Sequence, residues 1–91
     1  MSTYDWDPEK VTGNVRKHGI TFVEAEQAIE DPLSIEGPDE LGYADVRRRV
    51  FGETRSGWLL LVIVSESRPR PRIISARRAT KRERHAYETR S

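Results

Sequence analysis

Residues 58–64 read Trp58-Leu59-Leu60-Leu61-Val62-Ile63-Val64, an unbroken apolar run. Successive strand residues face opposite ways, so a strand apolar at both parities must be covered on both faces. The run therefore belongs in the middle of a sheet, with helices on one side and something else on the other. Two further strand candidates flank it, at 46–53 and 72–77, joined to it by Thr54-Arg55-Ser56-Gly57 and by residues 66–71. Such short connections predict an antiparallel meander. Pro69 and Pro71 have no N–H to give to a central ladder, which makes 66–71 a loop.

Working outward toward the N-terminus, Asp7-Pro8 is an N-cap followed by proline at the first helical position. A helix over 8–18 follows, with Val11, Asn14, Val15 and His18 on one face and Gly19 as its left-handed stop. Thr21-Phe22-Val23-Glu24 reads as a capping box that opens a second helix buried through Phe22, Ala25, Ala28 and Ile29. Asp31-Pro32 ends it. Residues 4–6 suggest a short edge strand and 33–35 another, while the acidic, turn-rich segment 36–45 reads as a mobile loop. Toward the C-terminus, Thr80-Lys81-Arg82-Glu83 is a second capping box that opens a last helix to about residue 88. The expected fold is α+β: an N-terminal αα-hairpin, an antiparallel sheet of three to four strands, and a C-terminal helix. Ninety-one residues with no repeat or break predict one domain over 1–91.

The formal net charge of +1 hides a dipole. Residues 1–45 carry three basic side chains against eleven acidic, and residues 46–91 carry thirteen basic against four acidic. Thirteen of the sixteen basic residues are Arg, gathered around the strand candidates. Guanidinium is permanently charged and offers a planar fork of donors matched to phosphate, so this distribution points to a polyanion partner. The competing reading is a fold whose two halves neutralise each other. With no cysteine, disulfides, thiol nucleophiles and Cys-based zinc sites are excluded. His18 and His85 lie far apart and show no metal-binding spacing, so neither a metal nor a cofactor is expected. Neither a membrane span nor an export signal is evident, which makes the cytoplasm the expected compartment.

The most specific stretch is Arg72-Ile73-Ile74-Ser75-Ala76-Arg77-Arg78-Ala79-Thr80, an apolar strand bracketed by arginines that runs into a capped helix. Regular alternation places Arg72, Ile74 and Ala76 on one face and Ile73, Ser75 and Arg77 on the other, and Arg72 and Arg77 converge only if Arg77 lies past the strand end, where the chain turns toward helix 80–88. Together with Trp6-Asp7-Pro8, Asn14, Lys17-His18-Gly19, Thr21-Phe22, Glu24-Ala25, an Arg before Val50-Phe51-Gly52, the apolar 60–64, Glu83-Arg84 and Tyr87, it resembles the BrnT family. These are bacterial type II toxins, small ribonucleases of a RelE-like fold neutralised by a cognate BrnA antitoxin. The family's single Arg five residues before the glycine is matched by Arg47. Here Arg47, Arg48 and Arg49 stand in a row, and which of them faces RNA is open.

The resemblance implies endonucleolytic RNA cleavage in the cytoplasm, an antitoxin partner that itself carries the DNA binding, and room for a toxin–antitoxin hetero-oligomer. Metal-free cleavage by the 2′-hydroxyl needs a base, a stabiliser of phosphorane charge and an acid. Arg72 and Arg77 suit the stabiliser, with Arg47, Arg49 and Arg68 as RNA-binding side chains. Lys17, His18, Glu83 and Tyr87 are candidates for proton transfer. Each has a structural alternative: helix-end capping for Lys17 and His18, the capping box for Glu83, a core anchor for Tyr87. Two other functions stay open, a nucleic-acid-binding module without turnover and a protein-interaction module.

Overall fold

A computed structural model describes residues 3–38, 47–66 and 69–89. Helix α1 spans Pro8–His18. The Asp7 side chain accepts from the Glu9 N–H, and Gly19 closes the helix at φ 70° with its N–H on the Val15 carbonyl. Helix α2 spans Phe22–Glu30, its first turn closed by both reciprocal bonds between Thr21 and Glu24. Four strands follow: β1 Ile35–Pro38, β2 Arg47–Glu53, β3 Leu59–Ser65 and β4 Arg72–Arg78. Helix α3, Lys81–Glu88, opens on the Thr80–Glu83 capping box. Among the described residues the strands form one antiparallel sheet in the order β1-β2-β3-β4.

The apolar run lies in the middle, as its double parity requires. Val62 and Val64 point to the face that α1 and α2 cover, where they pack with Val50, Ile73, Phe22 and Ala28. Each such fully buried large apolar side chain contributes about 1.5–3 kcal/mol. Contact is closest where α2 crosses β2: a Cβ placed on Gly52 would stand 1.9 Å from the Ala28 carbonyl oxygen. Trp6 meets Phe22 edge to face, with ring centres 6.3 Å apart. Leu59 and Leu61 are buried at the other parity. On that side α3 brings Tyr87 beside Phe51 and Ile35. The tyrosine is buried, and its hydroxyl donates to Asp31 Oδ2 at 2.8 Å.

Several boundaries differ from the sequence reading. The short strand expected at 33–35 is β1, displaced to Ile35–Pro38 and paired with β2 through Glu36↔Val50 and Gly37↔Arg49. Glycine and proline are tolerated there because an edge strand bonds on one side only. The rest of the expected loop, 39–45, lies outside the described residues, as does Arg68. Residues 4–6 contribute a single parallel bridge: Ile73 N donates to the Asp5 carbonyl at 2.9 Å, and Asp5 N donates to that of Pro71 at 2.8 Å. Val15, expected on the buried face of α1, is 42% exposed. The inward position belongs to Asn14, which is 7% exposed.

Candidate active site

Strand β4 departs from regular alternation at one residue. Ile63 pairs with Ser75 and Val64 with Ile73, so Ile74 has no partner on β3 and forms a β-bulge. A bulge reverses the parity of everything beyond it. Arg72, opposite Ser65, and Arg77, opposite Leu61, therefore share a face, where strict alternation had set them on opposite ones. Directly opposed residues of antiparallel strands point the same way. Reading across the sheet, that face carries the rows Arg47, Ser65, Arg72, then Arg49, Ile63, Ser75, then Phe51, Leu61, Arg77. Four arginines from two separate strands thus occupy one surface. Arg72 and Arg77 stand four β3 positions apart, about 13 Å along the strand, too far to grip one phosphate together from their backbone positions.

The Arg77 end of this surface continues around the outer edge of β4. There Lys17 and His18, at the C-terminus of α1, line an open hollow of about 550 Å³ with Arg77, Arg78 and Thr80. Asn14 fixes this meeting of helix and strand. Its amide donates to the carbonyls of Ile20 and Ala76, at 2.9 and 2.8 Å, and its Oδ1 accepts from the Ala76 N–H at 3.1 Å. A buried amide with three bonds is a costly group to misplace, so α1 cannot slide along β4. Lys17 and His18 are thereby positioned beside the residue that follows Ala76. On sequence Asn14 has a place on a helix face but no task; the signal was an amide between Val11 and Val15 on that face.

Arg77 is held by α3. Its guanidinium donates to both carboxylate oxygens of Glu83, at 2.9 and 3.0 Å, and to the Arg78 carbonyl at 3.1 Å. Glu83 also accepts from the Thr80 N–H. The bonds from Arg77 hold the Glu83 carboxyl far below its ordinary value, at about 2. Arg72 is exposed, with Asp5 3.6 Å away. Arg48, between Arg47 and Arg49, faces the αα-hairpin side and is paired with Glu36 and Glu66. Arg49 and Phe51 border α3 across a hollow of about 320 Å³, near Arg82 and Tyr87. Among the described residues no group of three or more His, Asp or Glu side chains is placed to hold a metal ion. No helix among them is long and apolar enough to cross a membrane.

Over residues 6–83 the chain matches the family model of the ribonuclease toxin BrnT of type II toxin–antitoxin systems. It belongs to the BrnT family. The crystal structure of the Brucella abortus ribonuclease toxin BrnT is similar to it with a TM-score of 0.66 and 26% sequence identity, over 86% of this chain and 96% of that one. No curated protein sequence matches. The α+β architecture is that of BrnT and the RelE-like ribonucleases, and the general function of the family is that of a ribonuclease toxin. The BrnT match runs from α1, with Lys17 and His18, through β4 to Glu83, so both walls of the hollow lie inside it. Tyr87 lies beyond its end.

Proposed function

We propose that this BrnT-family chain cleaves RNA without a metal, on the arginine-bearing sheet face and the hollow at its edge, in the cytoplasm, and that it is neutralised by a cognate BrnA-like antitoxin. The observation that carries this reading is the register, in which Arg47, Arg49, Arg72 and Arg77 share a face that leads to Lys17 and His18. In the reaction the 2′-oxygen bonds to its neighbouring phosphorus as the bond to the 5′-oxygen breaks. One proton leaves the 2′-hydroxyl and another arrives on the 5′-oxygen, leaving a 2′,3′-cyclic phosphate and a 5′-hydroxyl. Arg77 stabilises the phosphorane oxygens, and Arg72, Arg47 and Arg49 hold flanking phosphates.

His18 carries the proton transfers, because imidazole is the side chain that ordinarily titrates nearest neutrality. Lys17 adds positive charge at the same hollow. Glu83, a carboxylate held at about 2, is too weak a base for this task near neutral pH and serves to orient Arg77. Tyr87, with its hydroxyl on Asp31, anchors α3. The antitoxin segment that covers an arginine face is acidic or amphipathic, and operator DNA is bound by that partner. The test is cleavage of naked RNA in EDTA with end-group analysis. Arg77→Ala should lose about 10²–10³ in rate with its fold intact, as expected on removing one stabilising donor of a transition-state oxyanion. Undiminished cleavage in both Arg77→Ala and Arg72→Ala would retire the site.

A further inference from the structure

Trp58, one of two tryptophans, is 44% exposed, whereas the leucines that follow it, Leu59, Leu60 and Leu61, are buried. It is nonetheless fixed. The backbone of Trp58 is clamped on both sides by Thr54, which is 5% exposed: Thr54 N donates to the Trp58 carbonyl at 2.9 Å, and Trp58 N donates to Thr54 Oγ1 at 3.1 Å. The turn between them closes through Gly57 at φ 88°, its N–H on the Thr54 carbonyl at 3.0 Å. Over the indole, 3.9 Å from the ring centre, lies the guanidinium of Arg78. The Arg78 carbonyl is in turn held by Arg77. Arg78 also lines the hollow that contains Lys17, His18 and Arg77. An exposed aromatic–guanidinium stack on a clamped backbone therefore abuts the place where a phosphate would sit.

We propose that the Trp58–Arg78 pair is a stacking platform for a nucleobase of the RNA whose phosphate occupies the hollow. This rests on the proposed site and names its recognition element. Single-stranded RNA is gripped in general by cations that track the phosphates and by aromatic and guanidinium planes on which bases stack. Every base has a π-face, so the platform sets position along the strand and tolerates base identity. It acts on binding: the platform touches a base and none of the reacting atoms.

The experiment is a cycle between protein and RNA. Single-turnover cleavage of a short RNA cut at one site is measured for wild type, Trp58→Phe, Trp58→Leu, Arg77→Ala and Arg72→Ala, on the intact strand and on strands with one abasic position near the cut. Trp58→Leu should raise the half-saturating protein concentration about ten-fold, the size of one lost base stack, with the maximal rate unchanged. Trp58→Phe should recover most of that loss. One abasic position should impose the same penalty on wild type and none on Trp58→Leu. Equal behaviour of Trp58→Leu and Trp58→Phe, or an abasic penalty that persists in Trp58→Leu, overturns the platform. So does Trp58→Leu that cleaves normally but binds the antitoxin more weakly, which would make this patch a protein-docking surface. Full activity in both Arg77→Ala and Arg72→Ala would instead remove the site itself, so the two failures are distinguishable. Thermal unfolding of each variant separates loss of fold from loss of binding, and the abasic penalty in wild type needs no variant to fold.

Discussion

The two faces of the sheet are built from the same strands and differ in chemistry. Toward α1 and α2, β2 and β4 present Val50, Gly52, Ile73 and Ala76, and the contact is tight enough that Gly52 lies against the backbone of α2. Toward α3 the alternate residues of β2 and β4 present Arg47, Arg49, Arg72 and Arg77. Only β3 is apolar at both parities. The hairpin-side face is closed by close packing, while on the other Leu59, Leu61 and Tyr87 are buried beside arginines of which Arg77 is paired with Glu83 and Arg72 lies near Asp5.

The sharpest way to break this division is at Gly52. Gly52→Ala places a methyl 1.9 Å from the Ala28 carbonyl oxygen, and neither atom belongs to a side chain that can rotate away. Helix α2 must lift off β2, and over-packing of that kind costs about 3 kcal/mol, a large share of the stability of a small domain. Urea or thermal unfolding of the variant should show that loss, and the variant should cleave RNA at a normal rate under conditions where it remains folded. An unfolding midpoint like that of wild type would mean that the sheet and α2 are not in the contact described.

Sequence signals specified the elements better than the site. Both capping boxes, Thr21–Glu24 and Thr80–Glu83, form with both reciprocal bonds, and Asp7-Pro8 and Gly19 bound α1, because caps are local chemistry. The double parity of residues 58–64 placed β3 between two neighbours. The bulge at Ile74 was not legible, since Ile73-Ile74-Ser75 alternates acceptably in either register and only pairing with β3 decides it. Without the bulge the arginines of β4 divide between two faces, and the candidate site dissolves. The triplet at 47–49 shows the complementary case. Its alternation was readable, but which parity faced outward is set by Val50 and Gly52, which share Arg48's side of the strand and pack under α2.

A smaller effect belongs to Glu83, where the two jobs meet. Its carboxyl ordinarily titrates near 4.5 and is held at about 2 by Arg77. A depressed folded value means that the ion pair stabilises the protein fully above about pH 4.5 and is lost as the pH falls toward 2. With both side chains partly in solvent the contribution is about 1 kcal/mol. Glu83→Gln keeps a capping-box residue and loses the charge, so it should unfold about 1 kcal/mol more easily at pH 7, with the gap closing in acid. Cleavage at neutral pH should stay within a few-fold of wild type. A hundred-fold loss in Glu83→Gln with Arg77 still in place would make the carboxylate the base and return His18 to a helix cap.

The smallest expected effect sharpens the comparison most, because it contrasts adjacent residues. Arg48 and Arg49 have the same side chain, differ by one position and face opposite sides of the sheet. A phosphate contact contributes to the dependence of affinity on salt, and a removed contact lowers that slope by about one. Arg49→Ala should therefore weaken RNA binding a few-fold at moderate salt and flatten the log–log slope by about one. Arg48→Ala should leave both unchanged and cost about 1 kcal/mol or less in unfolding, through its pairs with Glu36 and Glu66. Net charge falls equally in the two variants, so a general electrostatic attraction predicts equal slopes. Unequal slopes require that RNA lie on one particular face, and an inverted result would put it on the side of the helical hairpin.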